Sequence, residues 1–267
     1  VPVSGPAYGY RNRVQLHRAD GGLGYRGRGS SAVVRITSCP IAAEEVNALI
    51  SAGGPIPRDR FTVVGVHGQV AVEGRDREFS VRIGARQFRA PTSSFFQSNF
   101  AMLPALAEWV QERLAGDSLL DLYCGVGLWT QLGAERGMRV TGVDSDAAAV
   151  RSARGNVQWP GTCFVCAAVE RWVGDVACPV SFHSIVVDPP RTGLPKRVRR
   201  WLAASGARRI IYVSCNPSTM ARDLTDLAPR DGVYRVVETG FFDFYPQTGH
   251  VEMAVLLERG VSGPPSS

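Results

Sequence analysis

The stretch LLDLYCGVGLWTQLGAERG, residues 119–137, decides the fold. An apolar run carries Asp121 near its end, Gly125 and Gly127 follow, and a helix-forming segment begins directly after them. That is the strand, turn and helix of a βα unit. Its glycines let the backbone approach a ligand closely, and the first N–H groups of its helix are free to bind one. Thr130 stands where a dinucleotide fingerprint would place its third glycine, so a nucleoside without a pyrophosphate suits the turn better. The next apolar run, RVTGVD 139–144, closes on Asp144. In doubly wound nucleotide folds an acid at that place accepts hydrogen bonds from ribose hydroxyls. S-adenosylmethionine is a nucleoside of this kind, and Asp121 is the candidate for its cationic amino-acid end. Tyr123 either packs against the ligand or is a core aromatic.

Outward from this unit the pattern repeats. TCFVC 162–166, SIVVDPP 184–190 and RRIIYVSC 208–215 are short apolar runs separated by helix-like segments, which predicts βαβ units and a mostly parallel sheet. YRVVETGFFDFY 234–245 and HVEMAVLLER 250–259 have no helix between them and read as an antiparallel hairpin closing the sheet edge. Residues 1–90 differ. AVVRIT 32–37, RFTVVGVHG 60–68, QVAVEG 69–74 and EFSVRIG 78–84 alternate apolar and polar residues, and AAEEVNALISAG 42–53 is one amphipathic helix. The expected organisation is a small α+β domain over 1–92, an α/β domain over 93–259 and a disordered tail over 260–267.

The composition fits such a protein. Of 267 residues 45% are hydrophobic and 20% charged, enough to bury a full core. No apolar stretch reaches the roughly 20 residues of a membrane span, and the first residues lack the apolar centre of a signal peptide, so a cytoplasmic location is expected. The six cysteines show no disulfide-framework spacing. The formal charge of +6 comes almost wholly from arginine, since Lys196 is the only lysine. Arginine's planar fork suits phosphates and base stacking, which favours a polyanionic partner.

Two further motifs carry chemistry. In VVDPPRTGL the paired prolines stiffen the chain and hold Asp188 at the carboxyl edge of the sheet, where ligands of such folds bind. Methyltransferases acting on exocyclic amines carry an aromatic residue after the two prolines; Arg191 stands there, which argues against amine methylation. In IIYVSCNPSTMARDL, Cys215 closes an apolar run, Asn216 can cap the next helix and Pro217 suits its first turn. The helix end is expected to favour the thiolate and make Cys215 a nucleophile. A methyltransferase needs one when its target is C5 of uracil, a carbon too weakly nucleophilic to attack a sulfonium methyl unaided. Thiolate addition at C6 turns the ring into an enolate with charge at C5. A base must then remove the C5 proton, and Glu252, beside His250 in GHVEMAVL, is the candidate.

FFQSN, DLYCGVG, DPPRTGL, VSCNPSTMARDL and FDFYPQTGHVEM, in this order, resemble the bacterial RNA 5-methyluridine methyltransferases, which modify 23S ribosomal RNA or the T-loop of transfer RNA. The likeness covers 93–259 strongly and 8–92 loosely, through YGYRNRVQL and TSCPI. It implies a class I methyltransferase doubly wound, Rossmann-like sheet with a small N-terminal α+β domain, S-adenosylmethionine as cofactor, a nucleophile at Cys215 and a base at Glu252. It also implies cofactor contacts at Gln97, Tyr123, Asp144 and Asp188, joining Asp121, Gly125 and Gly127. Gln97, Asp188, Arg191 and His250 are then expected at the substrate. Leu128 stands where family members often carry Asn, which implies the loss of one cofactor hydrogen bond.

The ribosomal RNA members resemble one another in a four-cysteine iron–sulfur site. Cys39-Pro40-Ile41 looks like its fourth ligand, and the upstream three have no counterpart in this sequence, so neither a cluster nor another metal is expected. The oligonucleotide-binding barrel of many relatives has no counterpart either. The expected partner is RNA, with 23S ribosomal RNA favoured over transfer RNA, and the protein is expected to be a monomer that meets no membrane. CFVC 163–166 has redox or zinc spacing but no second pair and reads as strand. RTGLPKRVRR 191–200 either contacts phosphates or is a solvated helix face. Two rival readings are a cytosine-5 RNA methyltransferase, whose Pro-Cys motif is not seen here, and a catalytically silent RNA-binding relative.

Overall fold

The computed structural model describes residues 2–54, 57–175 and 182–260. Cys178 and most of the expected tail, 261–267, lie outside the described residues. Contacts divide the chain into two units, one holding Val3–Ala105 with Asp243–Gly249, the other Leu106–Phe242 with the chain from His250 onward.

The N-terminal unit contains β1 (Val3–Ser4), β2 (Arg13–Ala19), β3 (Gly22–Arg26), β4 (Val33–Arg35), α1 (Glu44–Ser51), β5 (Arg60–Val66), β6 (Gln69–Val72), β7 (Glu78–Ile83) and β8 (Arg86–Pro91). Five strands form a sheet in the order β4-β3-β2-β5-β6, and β7 pairs with β8. Val14, Leu16, Leu23, Phe61, Val63 and Val72 pack against Val46, Leu49 and Ile50 of α1. β7 shows the cause in its pattern: Phe79, Val81 and Ile83 are buried while Glu78, Ser80 and Arg82 face solvent. β2 is not foreseen from composition because RVQLHRA interleaves its inward Val14 and Leu16 with polar residues.

The division falls at 105/106 rather than at 92/93, and side chains explain why. The Asn12 N–H donates to the Ser98 carbonyl at 2.7 Å, Arg13 to the Ser94 carbonyl at 3.1 Å, and Phe96 and Phe100 pack on Phe79. Asn99 Nδ2 donates to the Phe244 carbonyl at 3.1 Å and the Tyr10 hydroxyl to the Pro246 carbonyl at 2.9 Å. Residues 93–105 and 243–249 therefore group with the N-terminal strands.

The C-terminal part carries α2 (Leu103–Arg113), β9 (Ser118–Leu122), α3 (Leu128–Glu135), β10 (Arg139–Asp144), α4 (Ala147–Asn156), β11 (Thr162–Cys166), α5 (Val169–Asp175), β12 (Ser184–Val187), α6 (Lys196–Ala204), β13 (Arg209–Ser214), α7 (Pro217–Leu227), β14 (Tyr234–Asp243) and β15 (Glu252–Arg259). Its strands lie in the order β14-β15-β13-β12-β9-β10-β11. β9 to β13 are parallel, and β15 runs antiparallel between β13 and β14. β9 and β12 are buried along their whole length, as strands covered on both faces must be, which is why they read as continuous apolar runs. The strand order reverses beside β9, whose neighbours are β10 and β12. A doubly wound sheet opens its ligand crevice at such a switch point. No described helix is long and apolar enough to cross a membrane.

Candidate active site

The turn after β9 is built by its backbone. Tyr123 takes a left-handed φ of 64°, and the N–H groups of Tyr123 and Cys124 both donate to the Val143 carbonyl. Gly127 caps α3 with φ 89°, and a Cβ there would lie 3.1 Å from Val157 Cγ2 and 3.3 Å from Ala153 Cβ. Only glycine meets both demands. Gly125 has φ 53° with open space where a Cβ would stand, and its N–H donates to Asp144 Oδ2 at 2.9 Å. Asp144 Oδ1 accepts from the Asp146 N–H at 2.8 Å. Two backbone donors thus fix the Asp144 carboxylate, and each oxygen keeps a lone pair for a further donor.

Asp121 lies one residue short of the end of β9, opposite Val186 and Gly142, and is wholly buried. Its Oδ2 accepts from the Thr130 hydroxyl at 2.6 Å, while Oδ1 is buried without a partner. Burial, opposed by the Thr130 bond and reinforced by Asp188, pushes the carboxyl up to about 7. Asp188 follows β12 and accepts from the buried Trp129 indole N–H at 3.2 Å; burial pushes it up to about 7 as well, against the Trp129 bond. An unpartnered buried acceptor costs about 1–3 kcal/mol. A cationic or hydrogen-bonding ligand at this edge would offset it. Tyr123 packs against the core beneath the sheet edge, so the core-aromatic reading holds for at least part of its ring.

On the neighbouring strands the antiparallel register sets Ser214 opposite Met253, which brings the next residues, Cys215 and Glu252, to the same rung. Asn216 caps α7 through Oδ1, accepting from the N–H groups of Ser218 and Thr219 at 3.2 and 3.4 Å, and Pro217 occupies the first turn. Burial first, then the Glu252 carboxylate, raise the Cys215 thiol; Arg191 opposes them by its charge and a hydrogen bond, and Asp188 adds to the rise. Glu252 is 1% exposed, its Oε2 has no partner, and burial followed by Asp188 holds it well above the usual carboxylate range, with Arg191 pulling the other way.

The structure brings together Asp188, Arg191, Cys215 and Glu252, and Asp121 with Asp188 and Asp144. Gln97 belongs to the N-terminal unit, where it is buried with Oε1 unpartnered. His250 is exposed, two residues ahead of Glu252. Cys163 and Cys166 are exposed on β11, and their odd spacing along a strand turns them to opposite faces, so CFVC forms no thiol pair. Cys39 is half-buried, its turn held by Asn47, which accepts from the Cys39 N–H at 2.7 Å and donates to its carbonyl at 3.0 Å. Among the described residues no group of three or more His, Cys, Asp or Glu could hold a metal ion. In the basic run, Arg199 is taken up by Asp223 and Asp226, at 3.0 and 2.7 Å, whereas Lys196, Arg197 and Arg200 are exposed. Sequence reasoning missed Trp129 and Asp223 and saw Thr130 only as an absent glycine. The one available signal was placement: Trp129 and Thr130 open the helix after the glycine turn.

Comparison with known proteins adds the following. The family model for tRNA (uracil-5-)-methyltransferases matches residues 174–260. A protein of Streptomyces avermitilis described as an uncharacterized RNA methyltransferase is 33% identical, over 97% of this chain and 70% of its own length. The 23S rRNA (uracil(1939)-C(5))-methyltransferase of Salmonella typhi is 30% identical over 96% of this chain and 72% of its own. The crystal structure of Pyrococcus abyssi tRNA (uracil-54, C5)-methyltransferase with S-adenosyl-L-homocysteine matches with a TM-score of 0.76 and 26% identity, covering 96% of this chain and 78% of that one.

Proposed function

The chain belongs to the RNA uracil-5-methyltransferase family, and on that premise we propose that it methylates C5 of a uridine in RNA through a covalent adduct at Cys215. The observation that carries the reading is the pairing of Ser214 with Met253, which sets the adjoining Cys215 and Glu252 at one end of the β13–β15 pair, together with a buried, unpartnered Glu252 oxygen.

The donor set fits S-adenosylmethionine, which when bound supplies the methyl group as a sulfonium. Asp121, with one oxygen free of any partner, would face its cationic amino-acid end. Asp144, steadied by Gly125, would accept from the ribose hydroxyls. Gly125 and Gly127 leave the turn open to it, with Tyr123 and Asp188 as further contacts.

Cys215 gives its proton up to solvent and adds as the thiolate through sulfur to C6 of the uracil, so that the C5–C6 π electrons move to C5 and the ring carries the enolate. Arg191 draws the thiol toward its ionised form. C5 takes the methyl group as the bond from the methyl carbon to the sulfonium sulfur breaks, its electron pair staying on the departing thioether. Glu252 then removes the C5 proton, and the electrons of that C–H bond re-form the double bond as the C6–S bond breaks and the thiolate leaves. A carboxyl raised by burial is a stronger base once ionised, which suits Glu252 to this proton. The uridine must leave its stack to expose both carbons, so the site reads a loop or a flipped nucleotide, with Asp188, Arg191 and His250 around it.

For the RNA we take 23S ribosomal RNA; the identity to the Salmonella typhi enzyme supports it. Transfer RNA is the second reading, favoured by the likeness to the Pyrococcus abyssi enzyme. The test is covalent trapping with S-adenosylmethionine on RNA carrying 5-fluorouridine, which has no C5 proton to lose. Wild-type protein should form a denaturation-resistant adduct and Cys215→Ala none. An adduct with 5-fluorocytidine RNA instead would identify a cytosine enzyme, and no adduct with either would leave a silent RNA binder. Mass mapping of both RNAs after reaction separates the ribosomal from the transfer RNA reading.

A further inference from the structure

We propose that Asp223, which touches neither reacting group, is the positioning residue that sets Arg191 against Cys215. The inference rests on Cys215 being the nucleophile. Arg191 and Cys215 come from different segments, the loop 191–194 after β12 and the turn between β13 and α7, and neither segment is regular structure that would fix their separation by itself.

Asp223 is wholly buried in α7. Its Oδ2 accepts from the Leu194 N–H at 2.6 Å and the Tyr212 hydroxyl at 2.7 Å. Its Oδ1 accepts from Arg199 at 3.0 Å and from Nε and Nη2 of Arg222 at 2.9 and 2.7 Å. One carboxylate therefore joins α7 to β13, to α6 and to the loop that carries Arg191.

The same loop is gripped along its carbonyls. Arg191 O accepts from Asn216 Nδ2 at 3.1 Å and from the Thr219 hydroxyl at 3.3 Å, Thr192 O from Arg222 at 2.9 Å, and Leu194 O from Arg199 at 2.5 Å. Both arginines that hold these carbonyls are themselves held by Asp223. Gly193 takes a φ of 74°, and a Cβ there would lie 2.6 Å from Asp223 Oδ2, so the loop passes against the carboxylate with no room for a side chain.

Stability alone is a poor reason for this arrangement. Apolar side chains of similar volume usually serve a core as well as a buried ion pair does, and what the pair adds is a fixed geometry. α7 already has apolar anchors in Met220 and Leu227. The geometry matters because the charged groups facing the thiol are Glu252 from β15, Asp188 from the end of β12 and Arg191 from the loop, and Arg191 is the one that favours the thiolate.

The test compares Asp223→Asn with wild type in the full chain. Asparagine keeps the volume and one carbonyl oxygen but cannot balance two guanidinium groups. Alkylation of Cys215 by iodoacetamide, followed peptide by peptide in RNA-free protein across pH, should slow about tenfold at pH 8 with its midpoint moved up about one unit. S-adenosylmethionine affinity should stay within about twofold, because its contacts lie on other elements. Arg191→Ala should give the same shift, and the double variant no further one. A lower Tm with an unmoved Cys215 midpoint would mean a purely structural role and overturn the proposal. Should Asp223→Asn not fold, Arg222→Ala, at a half-exposed residue, should still slow alkylation about threefold, and an unchanged rate overturns it too. The two readings fail separately: alkylation shifts without any fluorouridine adduct in wild type defeat the uridine chemistry, whereas a wild-type adduct with an unaffected Asp223→Asn defeats the positioning role.

Discussion

The Thr130 hydroxyl donates to Asp121 Oδ2 at 2.6 Å, so the residue that stands in place of a third fingerprint glycine holds the acid beside the glycine turn. Two of its consequences concern stability. Thr130→Val keeps the shape and removes the hydroxyl donor at 2.6 Å from Asp121 Oδ2, in a fully buried place where Oδ1 already lacks a partner. The variant should lose about 1–3 kcal/mol in denaturant unfolding at pH 8. Equal stability at that pH would mean that the carboxylate finds another donor when Thr130 is gone.

The second consequence is a pH dependence. Asp121 and Asp188 are each pushed up to about 7, against roughly 4 in an unfolded chain. Between these values the folded protein holds protons that the unfolded chain has released. The stability of the ligand-free protein should therefore fall as pH rises from about 4 through about 7 and level off above. Urea unfolding of wild type and Asp121→Asn at pH 5.5 and 8 checks the direction for Asp121, and an equal pH dependence in the two proteins would show that this acid is not raised. Asp121→Asn should flatten part of the slope.

How much of this could be read in advance depends on what each feature needs. The parallel strands are legible because a strand buried on both faces must be apolar throughout, as SIVV and SLLDL show. Asn216 and Pro217 are legible because a cap is a local matter of backbone donors. β2 is not, since its inward residues alternate with Arg, Gln and His. Cys215 is legible in place, since its position follows from the strand end, whereas the surroundings of its thiol are not: burial raises it first, and Glu252 and Asp188 add to the rise from distant parts of the sequence. Asp223 is invisible for the same reason, as its partners come from β13, α6 and a loop.

Trp129 offers a cleaner test of the cofactor edge than any charged residue. Its indole N–H is the hydrogen bond that lowers Asp188 against the effect of burial, and Trp129→Phe removes that donor while keeping most of the buried ring. A hydrogen bond to a charged group is worth about 1.5–3 kcal/mol. Asp188 should then ionise at higher pH. S-adenosylmethionine affinity, measured calorimetrically, should drop several-fold near pH 7 and return toward the wild-type value near pH 9. An equal loss at both pH values would assign Trp129 to shape rather than to the charge of Asp188.

Glu252→Gln separates the two halves of the chemistry. Glutamine fills the same buried site and cannot accept the C5 proton, yet Cys215 and Arg191 are untouched, so sulfur addition at C6 and methyl transfer to C5 remain open. On ordinary uridine RNA the variant should therefore stall after transfer, with the methylated nucleotide still bonded to Cys215, whereas wild-type protein goes on to release it. The stalled adduct should carry the mass of the RNA plus one methyl group, and free 5-methyluridine should fall by roughly 100-fold or more, within the range general base catalysis supplies. Because the Glu252 carboxylate also raises the Cys215 thiol, the neutral amide should bring adduct formation to its half-maximal rate at a lower pH than in wild-type protein. Adduct that forms and turns over at the wild-type rate would place the base elsewhere. An adduct lacking the methyl group would mean that Glu252 is needed before transfer and not after it.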